Sequence, residues 1–278
     1  MLPANFQAGL RVLVRGGGDL GSGVAIRLHR VGVKILISEL AQPLFVRRLV
    51  SFGEAVYSGS ITVEEVTAYL AEKPENAINI LNNGGVAVLV DPEAEVIKWF
   101  HPQVVVDARL LKQKPEYKMD IAPLVIGLGP GFLAGEDCHA VIETKRGPTL
   151  GRVYWQGASD PDTRIPETVG GFIQERVLRA PCDGPITNLA KIGDLVKKNQ
   201  TVARVGDEKI ITQFDGILRG LIADNIVVKF NMKVGDLDPR LDPRLCTWVS
   251  DKSLAIGGAV VEAILSRPEL RRALSGCN

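Results

Sequence analysis

The stretch RVLVRGGGDLGSGVAIRLHRVGVKILISE, from Arg11 to Glu39, decides the fold of the first part of the chain. It runs from an apolar strand through a glycine-rich turn into a helical segment and then into a second apolar strand. Gly16, Gly18 and Gly21 have the spacing G-x-G-x-x-G. The first glycine allows a tight turn, the second leaves room for a pyrophosphate, and the third lets the helix pack closely on the strand. The stretch predicts a βαβ unit of the nucleotide-binding type.

The helix start and the end of the second strand indicate how a ligand would bind. Backbone N–H groups at a helix start carry partial positive charge and favour a phosphate. Glu39 can accept hydrogen bonds from a ribose diol, and no arginine follows at once to hold a 2′-phosphate, which favours NAD or another adenine nucleotide. The alternative is a scaffold whose glycines only permit packing. The expected cofactor-binding residues of this unit are Gly16, Gly17, Gly18, Asp19, Gly21 and Glu39.

The composition excludes several classes of protein. The 278 residues exceed what one compact core usually organises, so we expect two domains. The 33 basic and 32 acidic residues nearly cancel, whereas a nucleic-acid binder would normally show a basic face. The most apolar stretch, residues 121–135, is too short and too interrupted by proline and glycine to span a bilayer. Four widely spaced cysteines without a Cys-x-x-Cys pair favour free thiols in the cytoplasm, and we assign no metal site.

The order of apolar runs predicts an α/β fold with a Rossmann-like doubly wound parallel sheet over residues 1–120. Continuous apolar strands that alternate with helical patterns are typical of a parallel sheet covered on both faces. PLFVRRLVSF from Pro43 and VEEVTAYLAE after Thr62 predict helices within this part, the second with a capping box. Residues 121–171, in which strand-like pieces alternate with glycine-rich turns, are expected as a separate β-rich segment that carries the candidate site loop.

The chain contains an internal repeat after this segment. APCDGPITNLAKIGDLVKKNQ from Ala180 matches TQFDGILRGLIADNIVVKFNM from Thr212 at the turns. Two such copies can pair around a pseudo-twofold axis and share one small core, because neither copy buries enough apolar surface to be stable alone. IGDLVKKNQTVARV also resembles a turn and strand of biotinyl and lipoyl carriers, so residues 172–248 predict a small all-β barrel-sandwich hybrid. The identical pairs are Asp183/Asp215, Gly184/Gly216, Val196/Val228, Lys197/Lys229 and Asn199/Asn231.

Two details of the last third of the chain need an interpretation. Lys209 lies near the position of the carrier lysine, but no Met-Lys-Met surrounds it, and we interpret it as a surface lysine.

Residues 249–278 predict a C-terminal helix and tail, with a cap at Ser250 or the next residue. Gly257 and Gly258 inside this helix cost about 1 kcal/mol each relative to alanine, which predicts compensation by close packing against the backbone of the first domain.

Six stretches distributed over nearly the whole chain form a combination more specific than any single motif. They are RGGGDLGSGVAIRLHRVGVKILISE, PLFVRRLVSFGEAVYSG, GPGFLAGEDCHAVIETKRGPTLGRVYWQG, VLRAPCDGPI, KVGDLDPR and SDKSLAIGGAVVEAIL. Together they closely resemble the YqeB-type family of bacterial accessory proteins, which is associated with selenium-dependent molybdenum hydroxylases. The resemblance implies maturation of a molybdenum enzyme, with that hydroxylase or its cofactor machinery as partner and a molybdopterin-type cofactor as a further candidate ligand. One departure is Arg146-Gly147-Pro148, where the family pattern has Arg-Gly-His.

The loop and strand GPGFLAGEDCHAVIETKRG contain the candidate catalytic residues Cys138, His139, Glu143 and Arg146. A thiol beside a histidine can ionise at neutral pH and then attack, or carry sulfur or selenium. In an extended stretch His139 and Glu143 share a face and Cys138 faces away, so a direct pairing of thiol and imidazole needs a loop conformation. The alternative is a buried structural cysteine beside a histidine that is bonded to backbone.

Asp107 and Arg109 follow an apolar strand in the stretch VVVDARLLK. Loops at the carboxyl ends of parallel strands line the ligand crevice of such sheets. An arginine fixed there could clamp a phosphate, such as that of a pterin cofactor, through two parallel hydrogen bonds. The alternative is an Asp–Arg surface pair, which contributes little to stability.

Three functions are compatible with these patterns. The first is an accessory or maturation factor for a selenium-dependent molybdenum hydroxylase, the second an NAD-dependent oxidoreductase with an appended β-domain, and the third a noncatalytic docking scaffold. The sequence leaves catalytic turnover and homo-oligomerisation open. We expect neither a nucleic-acid partner nor a membrane partner.

Overall fold

The computed structural model describes residues 9–162 and 168–275, and the chain divides into two units. The first unit contains residues 1–43, 52–162 and 249–278, and the second contains residues 44–51 and 163–248. Residues 121–162 and the C-terminal helix therefore lie in the same unit as the first part of the chain, and not in the separate segments expected from the sequence. Within the described ranges, no helix has both the length and the apolar character needed to cross a membrane.

The first unit is built on a nine-stranded sheet. Its strands are β1 (Arg11–Arg15), β2 (Lys34–Glu39), β3 (Ser60–Val63), β4 (Val66–Ala71), β5 (Val86–Val90), β6 (Val104–Asp107), β7 (Leu124–Leu128), β8 (Ala140–Ile142) and β9 (Val153–Tyr154). Their order is β3-β4-β5-β2-β1-β6-β7-β8-β9. β3 and β9 pair antiparallel at the two edges, and the strands between them pair in parallel. Helices α1 (Asp19–His29), α2 (Ala55–Ser58), α3 (Pro74–Asn82) and α4 (Ile97–Phe100) accompany these strands.

β1 lies at the centre of this sheet, with β2 on one side and β6 on the other. α1 leads from β1 to β2 on one side, and β6 pairs on the other side. This is the strand order of doubly wound sheets, in which a crevice opens at the carboxyl ends of the strands where the order reverses. Val12, Leu13 and Val14 of β1 are fully buried, as expected for a parallel sheet covered on both faces. The prediction of an α/β fold with a large parallel sheet is confirmed.

Two segments predicted as helices have another structure. PLFVRRLVSF forms irregular chain with a short 3-10 turn, Arg48–Val50, and VEEVTAYLAE supplies β4 of the β3–β4 hairpin. Glu64 and Glu65 form the hairpin turn with φ angles of 44° and 73°. Thr62 Oγ1 lies 2.9 Å from Thr67 Oγ1 across the hairpin instead of capping a helix. The β-branched residues of SITV and of the start of VTAYLA suit a half-buried sheet surface, and this outweighs the local capping pattern.

Strands β7, β8 and β9 continue the sheet through residues predicted as a separate β-rich segment. β7 pairs with β6 in the register Val104↔Leu124, and β8 pairs with β7 in the register Ile126↔Ala140. An open sheet edge leaves N–H and C=O groups unpaired, so an adjacent apolar strand satisfies them by joining the sheet. The glycine-rich turns between these strands therefore belong to the carboxyl and amino edges of one sheet.

The second unit consists of two four-stranded antiparallel sheets. Its strands are β10 (Val177–Arg179), β11 (Gly184–Asn188), β12 (Leu195–Val196), β13 (Thr201–Val205), β14 (Glu208–Ile211), β15 (Gly216–Leu221), β16 (Val227–Val228) and β17 (Lys233–Asp238), and the short helix α5 (Arg244–Thr247) follows. One sheet has the order β10-β17-β15-β12 and the other β14-β13-β11-β16. The two strand orders correspond position by position. The strand at each position of one sheet is the repeat counterpart of the strand at the same position of the other sheet. The two copies therefore exchange strands.

Reciprocal ion pairs join the turns of the two copies. Lys229 Nζ donates to Asp183 Oδ2 over 2.9 Å. Lys197 Nζ donates to Asp215 Oδ2, also over 2.9 Å. Each carboxylate also accepts the backbone N–H of the residue after its lysine, at 2.7 and 2.8 Å. The aspartate of each copy thus binds the lysine of the other copy.

The chain returns to the first unit with helices α6 (Asp251–Leu265) and α7 (Pro268–Ser275). The Ser250 side chain caps α6 by accepting the Ser253 N–H. A Cβ at Gly257 would lie 2.6 Å from the Gly23 carbonyl oxygen of α1, whereas Gly258 faces open space. The predicted close packing is confirmed for Gly257 and wrong for Gly258.

Candidate functional site

The turn between β1 and α1 is shaped by its three glycines. Gly16 has a φ of +96°, which side chains with L configuration rarely adopt. A Cβ at Gly21 would lie 2.0 Å from the Gly16 carbonyl oxygen, so the glycine lets the helix close onto the turn. Gly18 stands at the N-cap of α1 without a side-chain hydrogen bond. The backbone N–H groups of the first turn therefore have no side-chain cap, and an anion could accept from them.

Glu39 binds the backbone of this turn. The Gly17 N–H donates to Glu39 Oε2 over 2.7 Å, and the Leu40 N–H donates to Oε1 over 2.8 Å. Burial raises the pKa of the Glu39 carboxyl and outweighs the opposing effect of these two hydrogen bonds. Gly53 covers the other side of the turn, where its N–H donates to the Gly17 carbonyl over 2.9 Å. A ribose would have to share a carboxylate that already has two donors.

The start of α1 is also fixed by α6. Ser253 Oγ donates to Asp19 Oδ1 over 2.7 Å, and Ser253 is fully buried. Ser22 Oγ donates to the Gly17 carbonyl over 3.0 Å and accepts the Phe52 N–H over 2.7 Å. These contacts fix the conformation of the glycine turn, and a turn that is already ordered would lower the entropic cost of binding a ligand there.

Five side chains form a hydrogen-bonded network where β1 and β6 end, which we call the arginine cluster. Its members are Arg15, Asp107, Arg109, Glu116 and Tyr117. Arg109 donates to both oxygens of Asp107 at 2.6 to 3.2 Å, and to both oxygens of Glu116 at 2.9 and 3.1 Å. Arg15 Nη1 donates to Glu116 Oε1 over 2.6 Å. The Tyr117 hydroxyl donates to Asp107 Oδ2 over 3.0 Å.

The charges of the arginine cluster stabilise one another. Burial would lower the pKa of Arg109, but its hydrogen bonds to Asp107 and Glu116 outweigh burial and raise it. Burial would raise the pKa of Glu116, but hydrogen bonds from Arg109 and Arg15 lower it to about 2. Burial and the nearby Asp107 charge raise the pKa of Tyr117. Arg109 is therefore not part of a weak surface ion pair. Its guanidinium is also not free to bind a phosphate as the structure stands, because it already donates to the carboxylates of Asp107 and Glu116.

Cys138 lies in the apolar core of the first unit. It is fully buried and belongs to the same cluster as Phe132, Val125 and Val141. Burial raises the pKa of its thiol to about 12, so the side chain is a neutral thiol at neutral pH. This geometry favours the buried structural cysteine that the sequence left as the alternative.

The other three candidate catalytic residues each have separate partners. His139 Nδ1 accepts the Val125 N–H over 3.0 Å. Glu143 is fully buried and accepts the N–H groups of Lys145 and Asp160, each over 2.7 Å. The Arg146 guanidinium pairs with a carboxylate at the start of α6. His139 thus binds the backbone of β7 and Glu143 holds the loop after β8, and the catalytic roles of all three residues stay a prediction.

Sequence reasoning missed three members of the arginine cluster. Arg15 had a usable signal, because a basic residue directly precedes the glycine turn at the end of a buried strand. Glu116 and Tyr117 had none, because they lie in an irregular loop far along the chain from Arg15. Their association depends on the pairing of β1 with β6, which a local pattern does not reveal.

The comparison with known proteins identifies a family. The chain is 42% identical over 265 residues to "Uncharacterized protein YqeB" of Escherichia coli (strain K12), an alignment that covers 95% of this chain and 49% of that protein. The chain belongs to the YqeB-type family, as its motifs predicted. It spans about half the length of this relative. No family model matches the sequence.

Solved structures resemble the chain only weakly. An aspartoacylase family protein from Mesorhizobium loti is 12% identical, with 82% of this chain and 85% of that chain covered and a TM-score of 0.28. FadB2 of M. tuberculosis is 20% identical, with 43% and 41% covered and a TM-score of 0.26.

Proposed function

We propose that this chain is an accessory or maturation factor for a selenium-dependent molybdenum hydroxylase and that it binds an anionic ligand, a nucleotide or a molybdopterin-type cofactor. The observation that carries the proposal is the start of α1, where Gly18 leaves the first-turn N–H groups without a side-chain cap. It lies at the carboxyl end of β1, beside the strand pair where the sheet order reverses. Ligands of open α/β sheets bind at this place. Membership in the YqeB-type family, together with the resemblance of the motifs, supports the link to molybdenum enzymes.

The chemistry of this role is binding and not thiolate catalysis. The neutral, buried Cys138 argues against transfer of sulfur or selenium through this thiol. Cys138, Cys182 and Cys246 are free thiols, which suits action in the reducing cytoplasm.

The second unit would serve as the docking module of this factor. Its two strand-exchanged sheets support a barrel-sandwich hybrid fold. Lys209 lies within β14, paired with Arg204, and not in the turn at Gly206 and Asp207. This position favours recognition of the hydroxylase or its cofactor machinery over a covalently attached carrier group.

Calorimetric titration of the full chain with NAD and ADP tests the ligand site. Gly18→Asp adds a carboxylate that accepts the first-turn N–H groups and repels a phosphate. We expect nucleotide affinity to fall at least about tenfold in this variant. Gly258→Asp adds the same charge in open space on α6 and should leave the affinity unchanged. Full affinity in Gly18→Asp would rule out the glycine turn as the ligand site.

Deletion of the gene tests the role in maturation. We expect the activity of a selenium-dependent molybdenum hydroxylase to be lost in the deletion strain and restored by the wild-type gene. Gly258→Asp should restore it as well, and Gly18→Asp should not. Normal hydroxylase activity in the deletion strain would contradict the proposal.

A further inference from the structure

From the arginine cluster we infer that Arg15 and Arg109 form a subsite for the phosphate group of an organic phosphate, and that the Glu116 carboxylate occupies this subsite in the unliganded chain. The inference rests on the proposed ligand-binding function of the same sheet edge and adds to it the residues that receive the phosphate. It also means that the Glu116 carboxylate competes with the phosphate for the two arginines, so the ligand must displace it.

The charge balance of the cluster is the first argument. Asp107 is fully buried and binds Arg109 through both oxygens, so it neutralises one of the two arginines. Arg15 is 2% exposed, and a buried charge without a counterion is strongly unfavourable. The second anion comes from Glu116, whose side chain is 50% exposed. The subsite therefore requires an anion, and a half-exposed loop residue supplies it.

The geometry of the donors is the second argument. Glu116 Oε1 accepts from Arg15 at 2.6 Å and from Arg109 at 2.9 Å, so one oxygen bridges two guanidinium groups. Arg15 Nε is buried and has no hydrogen-bond partner. A carboxylate leaves this donor unpaired, whereas a phosphate offers a third oxygen. Tyr117 supports both guanidinium groups, which lie 5.4 and 6.0 Å from the centre of its ring.

The loop that carries Glu116 is the third argument. Residues 111–118 contain neither helix nor strand. Leu110 and Lys112 at its start have φ angles of 56° and 59°, which are uncommon for residues other than glycine and costly for a bulky side chain. The loop starts beside the glycine turn, because a Cβ at Gly16 would lie 3.3 Å from the Arg109 nitrogen. A phosphate at this edge can displace Glu116 without disturbing the sheet.

Glu116→Gln tests the inference, because it removes the competing charge and keeps the side-chain volume. We expect ADP and inorganic phosphate, titrated separately into the full chain, to bind roughly tenfold more tightly than to wild type. Glu208→Gln, the same change on exposed β14, should have no effect. In the double variant Arg109→Lys/Glu116→Gln the gain should disappear, because lysine keeps a charge for Asp107 but loses the planar fork. A gain for ADP without one for inorganic phosphate would show that the subsite needs the rest of the nucleotide.

Limited trypsin digestion provides a second readout. Cleavage after Lys112 or Lys118 should become faster when ADP binds to wild type, because the loop is released, and should be fast in Glu116→Gln without ligand. If Glu116→Gln binds ADP no more tightly than wild type while Gly18→Asp abolishes binding, the inference fails and the proposed function stands. Absence of binding in wild type and in Glu116→Gln would overturn both.

Discussion

At the scale of single residues, Cys138 shows how the fold overrides a chemical pattern. The sequence places this thiol directly before His139, an arrangement that can activate a cysteine. In the structure the two side chains enter different surroundings, because Cys138 packs in the core and His139 bonds to Val125. A polar-looking triplet, Asp-Cys-His, gave no sign that its middle residue is fully buried.

Thiol labelling checks this interpretation. A pKa of about 12 leaves roughly one Cys138 thiol in ten thousand ionised at pH 8, so we expect iodoacetamide to leave Cys138 unmodified in the folded chain. The half-exposed Cys182 provides the internal comparison, and both should react after unfolding in urea. Peptide mapping by mass spectrometry identifies the modified residue. Rapid modification of native Cys138 would restore the case for a reactive thiol.

The parts of the candidate site differ in how far the sequence reveals them. The glycine turn and Glu39 were predictable because they lie within one βαβ unit, whose order fixes where the turn and strand end meet. Asp107 and Arg109 were chosen for a different reason, because they follow an apolar strand whose carboxyl end lies at the edge of the sheet where ligands bind. Glu116 was not, because an exposed loop residue has no periodicity, and its contact with Arg15 exists only once two distant strands have paired.

At the scale of elements, the strands were more predictable than the helices. Runs such as those of β1, β2 and β6 are continuous and apolar because both faces of a parallel sheet are covered. The β3–β4 hairpin was missed because Thr62 and Glu65 satisfy a local capping pattern while the side chains that decide the outcome pack across strands. The two adjacent glycines of α6 predicted close packing against the backbone of the first domain, but only Gly257 makes such a contact, with α1.

Adjacent glycines of α6 provide a matched test of this helix contact. Alanine at Gly257 would push its Cβ to 2.6 Å from the Gly23 carbonyl oxygen, a backbone atom that cannot rotate away. We expect Gly257→Ala to destabilise the full chain by about 1–3 kcal/mol. Gly258→Ala meets open space and should stabilise it by up to about 1 kcal/mol, because alanine is the better helix former. Urea unfolding of both variants measures the free energy of unfolding. A change in the same direction in both variants would contradict the close contact of α6 with α1.

At the scale of the whole molecule, the chain order and the spatial order diverge. The second unit interrupts the first, which is completed by α6 and α7 at the C-terminal end. Asp19, the first residue of α1, accepts a hydrogen bond from Ser253 of α6, so residues from both ends of the chain build the proposed ligand site. The second unit repeats one pattern twice, and its strand exchange makes each copy depend on the other. Loss of a contact in one copy should therefore resemble loss of its counterpart.

Asp183 and Asp215 test this equivalence. Backbone N–H groups, followed by the lysine of the partner copy, lower the pKa of each carboxyl, so folding favours the ionised form. The resulting stabilisation is present above the unfolded pKa of about 3.9 and disappears as the pH falls through the lower folded value. We expect Asp183→Asn and Asp215→Asn to lower the urea midpoint of the full chain by similar amounts at pH 7, and both differences from wild type to shrink below pH 4.

Asp207→Asn, a change at an exposed aspartate in the turn after β13, serves as the control and should have no such effect. The double variant Asp183→Asn/Asp215→Asn should lose more than either single variant, because each aspartate fixes a different junction between the copies. A large loss for one aspartate with none for the other would mean that a single copy carries the unit. In that case the two copies would match in sequence and strand order but would contribute unequally to the stability of the unit.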